Sequence, residues 1–409
     1  MTRLKIFVDN PVERPGTEDA LPYFALEHIE SGTGRLLPGV EISAAADDTS
    51  ILHTSGDVRF GKLRPYLAKS LLMVEPGAGS GELLVLRPRR DVMNSKYLHY
   101  LTLSTAFVEW ATATSYGVKM PRTNWDSLAS FECDVPALEE QRAVAAFLDA
   151  ETARIDALLA EQCDQLDLIE EHRHALVSRA VGARMGGEWS SLAGALESLP
   201  QGWKLTPLRF VATIQSGITL GKKYEGALEE HPYIRVANVQ DGDLDLETVT
   251  TIEVPEDVAR RHELRPGDVL MTEGGDNDKL GRGTVWNDEI VGCLHQNHVF
   301  AIRPHRSVLR PRYLAALTTS AWGRAYFTAT AHQTTNLAST NRSKIGGFPI
   351  PLPPVEEQDV LLRELGAKLE DLDEVRSELS TQVQLLREHR QALITAAVSG
   401  GLEALQGVA

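Results

Sequence analysis

No run of eighteen apolar residues occurs in the chain, and it does not open on a charged-then-apolar leader, so it is expected to be soluble and unexported. Only three cysteines are present, Cys133, Cys163 and Cys293, far apart and with no CxxC pair. Their scarcity argues against a disulfide framework and against zinc, and fits plain buried thiols in a reducing cytoplasm. There is no GxxxxGK[ST] phosphate loop, so ATP-driven work is not expected of this polypeptide. Positive charge is also short: 41 Lys and Arg stand against 57 Asp and Glu, a formal net charge of −16.

What the sequence does have, it has twice. Residues 136–181 read PALEEQRAVAAFLDAETARIDALLAEQCDQLDLIEEHRHALVSRAV, and residues 353–398 read PPVEEQDVLLRELGAKLEDLDEVRSELSTQVQLLREHRQALITAAV. They align without a gap, Glu139-Glu140-Gln141 on Glu356-Glu357-Gln358 and Glu171-His172-Arg173 on Glu388-His389-Arg390, each pair 217 residues apart. A seam spaced alternately by four and three runs through Leu148, Thr152, Ile155, Leu159, Gln162, Leu166, Ile169, Arg173 and Leu176. The second copy keeps the register from Leu365 to Arg390 and Leu393. Such a seam predicts one long helix per copy, the two paired as a coiled coil. Proline ahead of paired glutamates suits the start of each, and Gly182 and Gly400-Gly401 suit the ends. Because 46 residues of helix extend roughly 70 Å, a parallel pair would force the intervening chain to run all the way back. An antiparallel pair needs no return, and would give a rod with a globular segment at each end and a pseudo-twofold axis at its middle.

The acid is concentrated in these helices, which carry −6 (136–181) and −5 (353–398) of the total. Most of those charges suit a solvated helix face, and an acidic rod is a poor surface for phosphates. The globular segments are near neutral and can still present basic loops.

The expected order is a globular domain (1–134), a long helix (135–182), a linker (183–199), a second globular domain (200–351), a second long helix (352–401) and a tail (402–409). Strand-like runs occur at Lys5-Ile6-Phe7-Val8, Ser70 to Val74, Leu83 to Leu86, Val269 to Met271 and Val299 to Ile302, and one helix is expected over 95–112. The globular segments echo one another faintly. Gly56-Asp57-Val58 answers Gly267-Asp268-Val269, Leu86-Arg87-Pro88 answers Ile302-Arg303-Pro304, and Thr123-Asn124 answers Thr340-Asn341.

Taken over essentially its whole length, the chain resembles the specificity subunit of type I restriction-modification systems. The resemblance rests on PLPPVEEQ at 351–358 with DVPALEEQ at 134–141, REHRQALITAAVSG at 387–400, LPQGWKLTPL at 199–208 and GDVLMTEGGDNDKLGRG at 267–283. Domain one departs from the pattern by opening with MTRLKIFVDNPVERPG in place of LPxGW. The resemblance implies an α+β fold: two globular α/β target-recognition domains separated by a long antiparallel two-helix coiled coil, as a pseudo-twofold tandem repeat. It implies a non-catalytic, cytoplasmic subunit whose two domains each read one half of a bipartite, asymmetric site in double-stranded DNA. Partners would be two modification (methyltransferase) subunits, which bring S-adenosylmethionine, and restriction subunits that use ATP and Mg. No cofactor and no membrane contact are expected of this chain.

Groove readout needs donors and acceptors on loops, with Lys and Arg to hold phosphates. In domain two the candidates are Lys222, Lys223 and Tyr224 on a glycine-flanked tip, Asn277, Lys279 and Arg282 in the loop after Glu273, and Gln333, Thr334 and Asn336. In domain one they are Lys62, Arg64 and Tyr66 in GKLRPYLAK, with Tyr116, Lys119 and Arg122 in SYGVKMPR. Each residue has an alternative as a solvated charge or turn former.

Two other functions compete. Val74-Glu75-Pro76-Gly77-Ala78-Gly79-Ser80-Gly81-Glu82 resembles the S-adenosylmethionine loop of a stand-alone DNA methyltransferase. That fingerprint needs a helix next, whereas Leu83 to Leu86 followed by Arg87-Pro88 favours a strand, so a hairpin turn is expected. The Asn/Asp/Ser-Pro-Pro-aromatic segment of such enzymes is missing as well. A pure coiled-coil scaffold is the other competitor. His295-Gln296-Asn297-His298 is expected to lead into a strand rather than hold a metal, and Asp241 to Asp245 to form a turn rather than a calcium loop.

Overall fold

The computed structural model describes residues 2–16, 21–43, 49–182, 199–240, 242–275, 280–281, 283–333 and 338–400. The chain packs into two compact units, one of residues 1–164 with 379–409 and one of residues 165–378. Each unit therefore joins one globular region to a stretch of both long helices. No helix among the described residues is long and apolar enough to cross a membrane.

The long helices run Leu138–Gly182 and Val355–Gly400. Seam residues are their sheltered stripe: Leu148, Thr152 and Ile155 are buried in the first, and Leu365, Val383, Arg390 and Leu393 in the second. Off the seam, Leu168 and Leu385 stay more than half exposed. In unit one, Asp156 accepts from the Arg390 guanidinium at 2.9 Å, and the Gln162 amide donates to Gln382 at 2.9 Å. In unit two, Glu170 pairs with Arg376 at 3.2 Å, and Arg173 with Asp373. Partner numbers fall as helix numbers rise, so the helices pair antiparallel within each unit, as the seam implied.

The globular regions are built alike. Each is closed by a two-stranded antiparallel pair beside the long helix that follows, Thr2–Arg3 with Glu132–Cys133 in unit one and Lys204–Pro207 with Pro349–Leu352 in unit two. Domain one thus makes the same closure without the LPxGW opening. Its Lys5 to Val8 run is not a continuous strand: Leu4–Ile6 forms a 3-10 turn and only Val8–Asp9 is extended. Along one strand Leu4, Ile6 and Val8 would share a face, whereas the turn buries Leu4 and Val8 and leaves Ile6 half exposed.

The main sheet has four antiparallel strands in the order Val8–Asp9, Leu83–Pro88, Val58–Gly61, Ser70–Leu72. Unit two repeats it as Ala212–Ser216, Val299–Pro304, Val269–Thr272, Gly283–Val285. Residues 95–112 make two helices rather than one, Ser95–Leu103 and Thr105–Ala113. Ser104 breaks them by turning extended at ψ 147 and accepting from the Phe107 N–H, an N-cap that starts the second. Ser320 does the same between Pro311–Thr319 and Ala321–Thr330.

Recurring motifs turn out to be joints between elements. Gln141 and Gln358, the glutamines of the two EEQ motifs, are fully buried. The Gln141 amide donates to the Val92 and Pro136 carbonyls and its oxygen accepts from the Asn94 N–H. Gln358 repeats this with Val308, Pro353 and Arg310. Asp57 and Asp268 of the GDV motifs are buried and take two-pronged hydrogen bonds from Arg87 and Arg303. Asn124 and Asn341 cap short helices by accepting from Ser127 and Lys344. The second short helix of each region also leans on a long helix, the Thr105 N–H donating to Thr395 and the Ala321 N–H to Ser178.

Gln358→Leu should therefore strand the Val308 and Pro353 carbonyls and the Arg310 N–H, which the amide satisfies, and cost about 2–4 kcal/mol of unfolding free energy. A denaturant midpoint unchanged from wild type would contradict this role.

Candidate nucleic-acid interface

Residues 62–66 and 116–123 are distant in sequence but lie side by side. Tyr116 and Arg122 exchange both backbone hydrogen bonds at 2.9 Å, the Arg64 N–H donates to the Pro121 carbonyl, and the Thr123 N–H donates to the Lys62 carbonyl. The tip between them turns at Gly117, whose φ is +92 and where an added Cβ would stand 3.3 Å from the Met120 carbonyl, leaving little room for a side chain. At this tip Val118 is fully exposed, and Tyr116 and Met120 are more than half exposed. Arg64, Tyr66 and Lys119 are exposed too. The structure thus gathers all six candidates of domain one into one cluster.

Inside the cluster the basic residues divide. Lys62 Nζ donates to the Gly81 carbonyl at 2.5 Å, and burial lowers its pKa from the ordinary lysine range against the pull of Glu82. Arg122 pairs with Glu82 at 3.0 Å. These two hold the loops in place, while Arg64 and Lys119 project with no ion pair among the described residues.

Domain two builds the same joint from other residues. The Glu273 N–H donates to the His298 carbonyl and the Thr340 N–H to the Glu273 carbonyl, just as Lys62 meets Glu82 and Thr123 in domain one. His298 then meets Glu273 at 2.6 Å. From this edge leave Gly274–Gly275, paired with Ala338–Ser339, which in turn pairs with His332–Gln333. Asn277, Lys279, Arg282, Thr334 and Asn336 lie outside the described residues, and of Gln333 the backbone alone is described. Next to the same edge Ile218 bonds across to His295 and Asn297 and starts the tip that carries Lys222 and Lys223, both exposed. The Lys222 ammonium sits 5.3 Å from the Tyr224 ring centroid, a cation–π distance.

Competing sites are closed. Gly77–Gly79 forms a strand parallel to Tyr23–Phe24 and antiparallel to Ile51–His53. The expected hairpin with Leu83–Pro88 is not made, because that strand belongs to the main sheet. A Cβ at Gly79 would stand 2.8 Å from the Arg59 guanidinium and from the Phe24 carbonyl, so protein atoms occupy the approach a cofactor would need. His295 is buried, bonds the Val299 carbonyl at 2.7 Å, and is pushed down to about 4 by burial, so it is a neutral structural ring. Gly242 and Asp243 to Asp245 form a turn in which the Asn238 amide donates to the Asp245 carbonyl, Asp241 being outside the described residues. Among the described residues no cluster of His, Cys, Asp or Glu is placed to hold a metal. Burial raises the Cys133 and Cys293 thiols to about 11 and about 12, whereas Cys163 is only partly covered on its helix and is not a buried thiol.

One further group carries a signal in the sequence. Arg390 occupies a seam position, and its guanidinium donates to the Gly32 and Thr33 carbonyls as well as to Asp156. It fastens a globular loop to the helix pair. Arginine at the same place in both copies of an apolar seam is the clue that sequence reasoning could have used.

No protein-family model matches the chain. It is 23% identical over 199 residues to the putative type I restriction enzyme MjaX specificity subunit of Methanocaldococcus jannaschii, covering 48% of this chain and 45% of that protein. It is 23% identical over 334 residues to the type I restriction enzyme EcoKI specificity subunit of Escherichia coli K12, covering 78% and 68%. The matched part thus spans less than half of the first relative and about two thirds of the second. In fold it is similar to a chain solved in work on complex assembly and conformational transition of the type I R-M system, with a TM-score of 0.66 at 22% identity over 98% of this chain and 97% of the other. The chain is a relative of type I restriction enzyme specificity subunits.

Proposed function

We propose that this chain, as a relative of type I restriction enzyme specificity subunits, is the sequence-reading subunit of such an enzyme, each globular region reading one half of a bipartite duplex site. One observation carries the reading: the same fold occurs twice and presents its loop cluster at the same edge, while the side chains there differ. Where domain one has Lys62, Glu82 and Arg122, domain two has Glu273, His298 and Ser339. Two readers of one shape and unlike chemistry suit two unlike half-sites related by the local dyads of DNA. Arg64 and Lys119 would meet phosphates, and Tyr66, Tyr116 and the apolar tip at Val118 would meet base edges or thymine methyls. Lys222 and Lys223 would serve domain two in the same way.

The paired helices would set the interval between the half-sites and, with the adjoining faces of the globular regions, dock two modification subunits. Those subunits would bring S-adenosylmethionine, and restriction subunits would bring ATP and Mg, so this chain makes and breaks no bond itself. The complex would act in the cytoplasm.

The test is methyl transfer from labelled S-adenosylmethionine to duplex DNA. The chain alone should transfer nothing, and addition of modification subunits should give transfer at split sites only. Transfer by the chain alone, or transfer by the modification subunits that does not depend on it, would overturn the proposal.

A further inference from the structure

Unit two contains a cavity of about 370 Å³ between the strand Gly283–Val285, the helix Pro311–Thr319 and its stretches of the two long helices. That volume is within the usual range for a small-ligand site. The equivalent place in unit one is filled by that unit's own side chains. His99 and Tyr100 stand 216 residues before Ala315 and Ala316, and Asp149 stands 217 before Gly366. The Tyr100 hydroxyl donates to Asp149 at 2.8 Å and meets the Thr152 hydroxyl at 3.3 Å, and Lys96 Nζ reaches Asp149 at 2.5 Å.

Unit two keeps the cation and loses the rest. Arg312 takes the place of Lys96, but Gly366 removes the carboxylate, Leu369 replaces the Thr152 hydroxyl and two alanines replace the rings. Arg312 has no hydrogen bond or ion pair among the described residues, although it borders the cavity. Nor is Gly366 imposed by packing, since a Cβ there would meet nothing within 4 Å. A mid-helix glycine destabilises the helix relative to alanine, and here it leaves the slot open.

We propose that this slot binds a small molecule with an apolar aromatic ring and a carboxylate a few bonds away. The ring replaces Tyr100 and His99 against Val177, Leu365, Leu369 and the two alanines, and the carboxylate replaces Asp149 before Arg312. Gly366 and Leu369 offer no side-chain acceptor at the positions of Asp149 and Thr152, so an unsubstituted ring is preferred there; of the two carboxylates elsewhere on the lining, Asp373 is paired with Arg173 and Glu370 is exposed. Ring burial supplies most of the affinity, and the half-exposed ion pair adds selectivity.

The probe is 3-phenylpropionate, titrated against the full chain by ligand-observed NMR. Saturable binding is expected, weakened about two- to fivefold by Arg312→Gln or by replacing the acid with its amide. The double variant Ala316→Tyr with Gly366→Asp rebuilds the filled slot of unit one and should abolish binding while unfolding at no lower a temperature than wild type. Absence of saturable binding to the wild-type chain overturns the proposal, and so does undiminished binding to the filled variant. If the filled variant fails to fold, equal affinity of Arg312→Gln and wild type for the acid still overturns it.

Discussion

Replacing residues 200–351 with the corresponding segment of a relative that recognises another sequence should change one half of the methylated motif completely and leave the other half as it was. The segment is self-sufficient enough for this. It closes on itself through Lys204–Pro207 and Pro349–Leu352. It has its own core around Trp203, Leu208, Tyr313, Phe327 and Ile350, and a satellite core around Trp286. It meets the helix that follows through the Val308 carbonyl held by Gln358, the Arg310 ion pair with Asp359, the Trp203 indole on Glu357 and the packing of Leu361 into its core, none of which involves a loop residue proposed to read DNA. Methylation mapping in cells that carry the hybrid with its modification subunits reads the outcome directly. A change in both halves, or in neither, would show that recognition is not divided between the globular regions.

The second large effect is expected from Arg64→Glu combined with Lys119→Glu. Both side chains are exposed and neither holds the loop cluster together, so unfolding free energy should move by no more than about 0.5 kcal/mol. Binding of the assembled complex to its duplex should fall about tenfold or more at moderate salt. The slope of log affinity against log salt should flatten by about 2, near 0.9 for each phosphate that is no longer neutralised. Lys62→Glu provides the contrast. Its ammonium is committed to the Gly81 carbonyl, so that change should disturb the fold as well as binding. An unchanged salt slope in the double variant would remove the cluster from the interface.

The helices were legible because their signal is redundant: a seam sustained from Leu148 to Leu176 and repeated 217 residues later leaves little else for the chain to do. The antiparallel sense followed from chain economy and is visible in Asp156 with Arg390 and in Arg173 with Asp373. The duplication of the globular regions was legible only as echoes, because what recurs there is a set of polar joints. Asp57 with Arg87 and Gln141 with the Val92 carbonyl are pairings between distant residues, which no local pattern reports. Local chemistry misled twice. The Lys5 to Val8 run suggested a strand where the chain makes a turn that buries Leu4 and puts Ile6 outward, and the glycines at 77–79 suggested a loop or hairpin where pairing with the distant Tyr23–Phe24 and Ile51–His53 makes a strand. The loop cluster of domain one is legible only in outline. Which of its cations are free depends on Gly81 and Glu82, and neither pairing is written in the spacing.

Mapping of modified bases across a genome that carries this chain with its modification subunits tests the central claim most directly. The account predicts a motif of two short, unlike specified blocks at a fixed interval of unspecified bases, lost when this chain is removed. A single uninterrupted motif, two identical blocks, or modification that persists without this chain would contradict it.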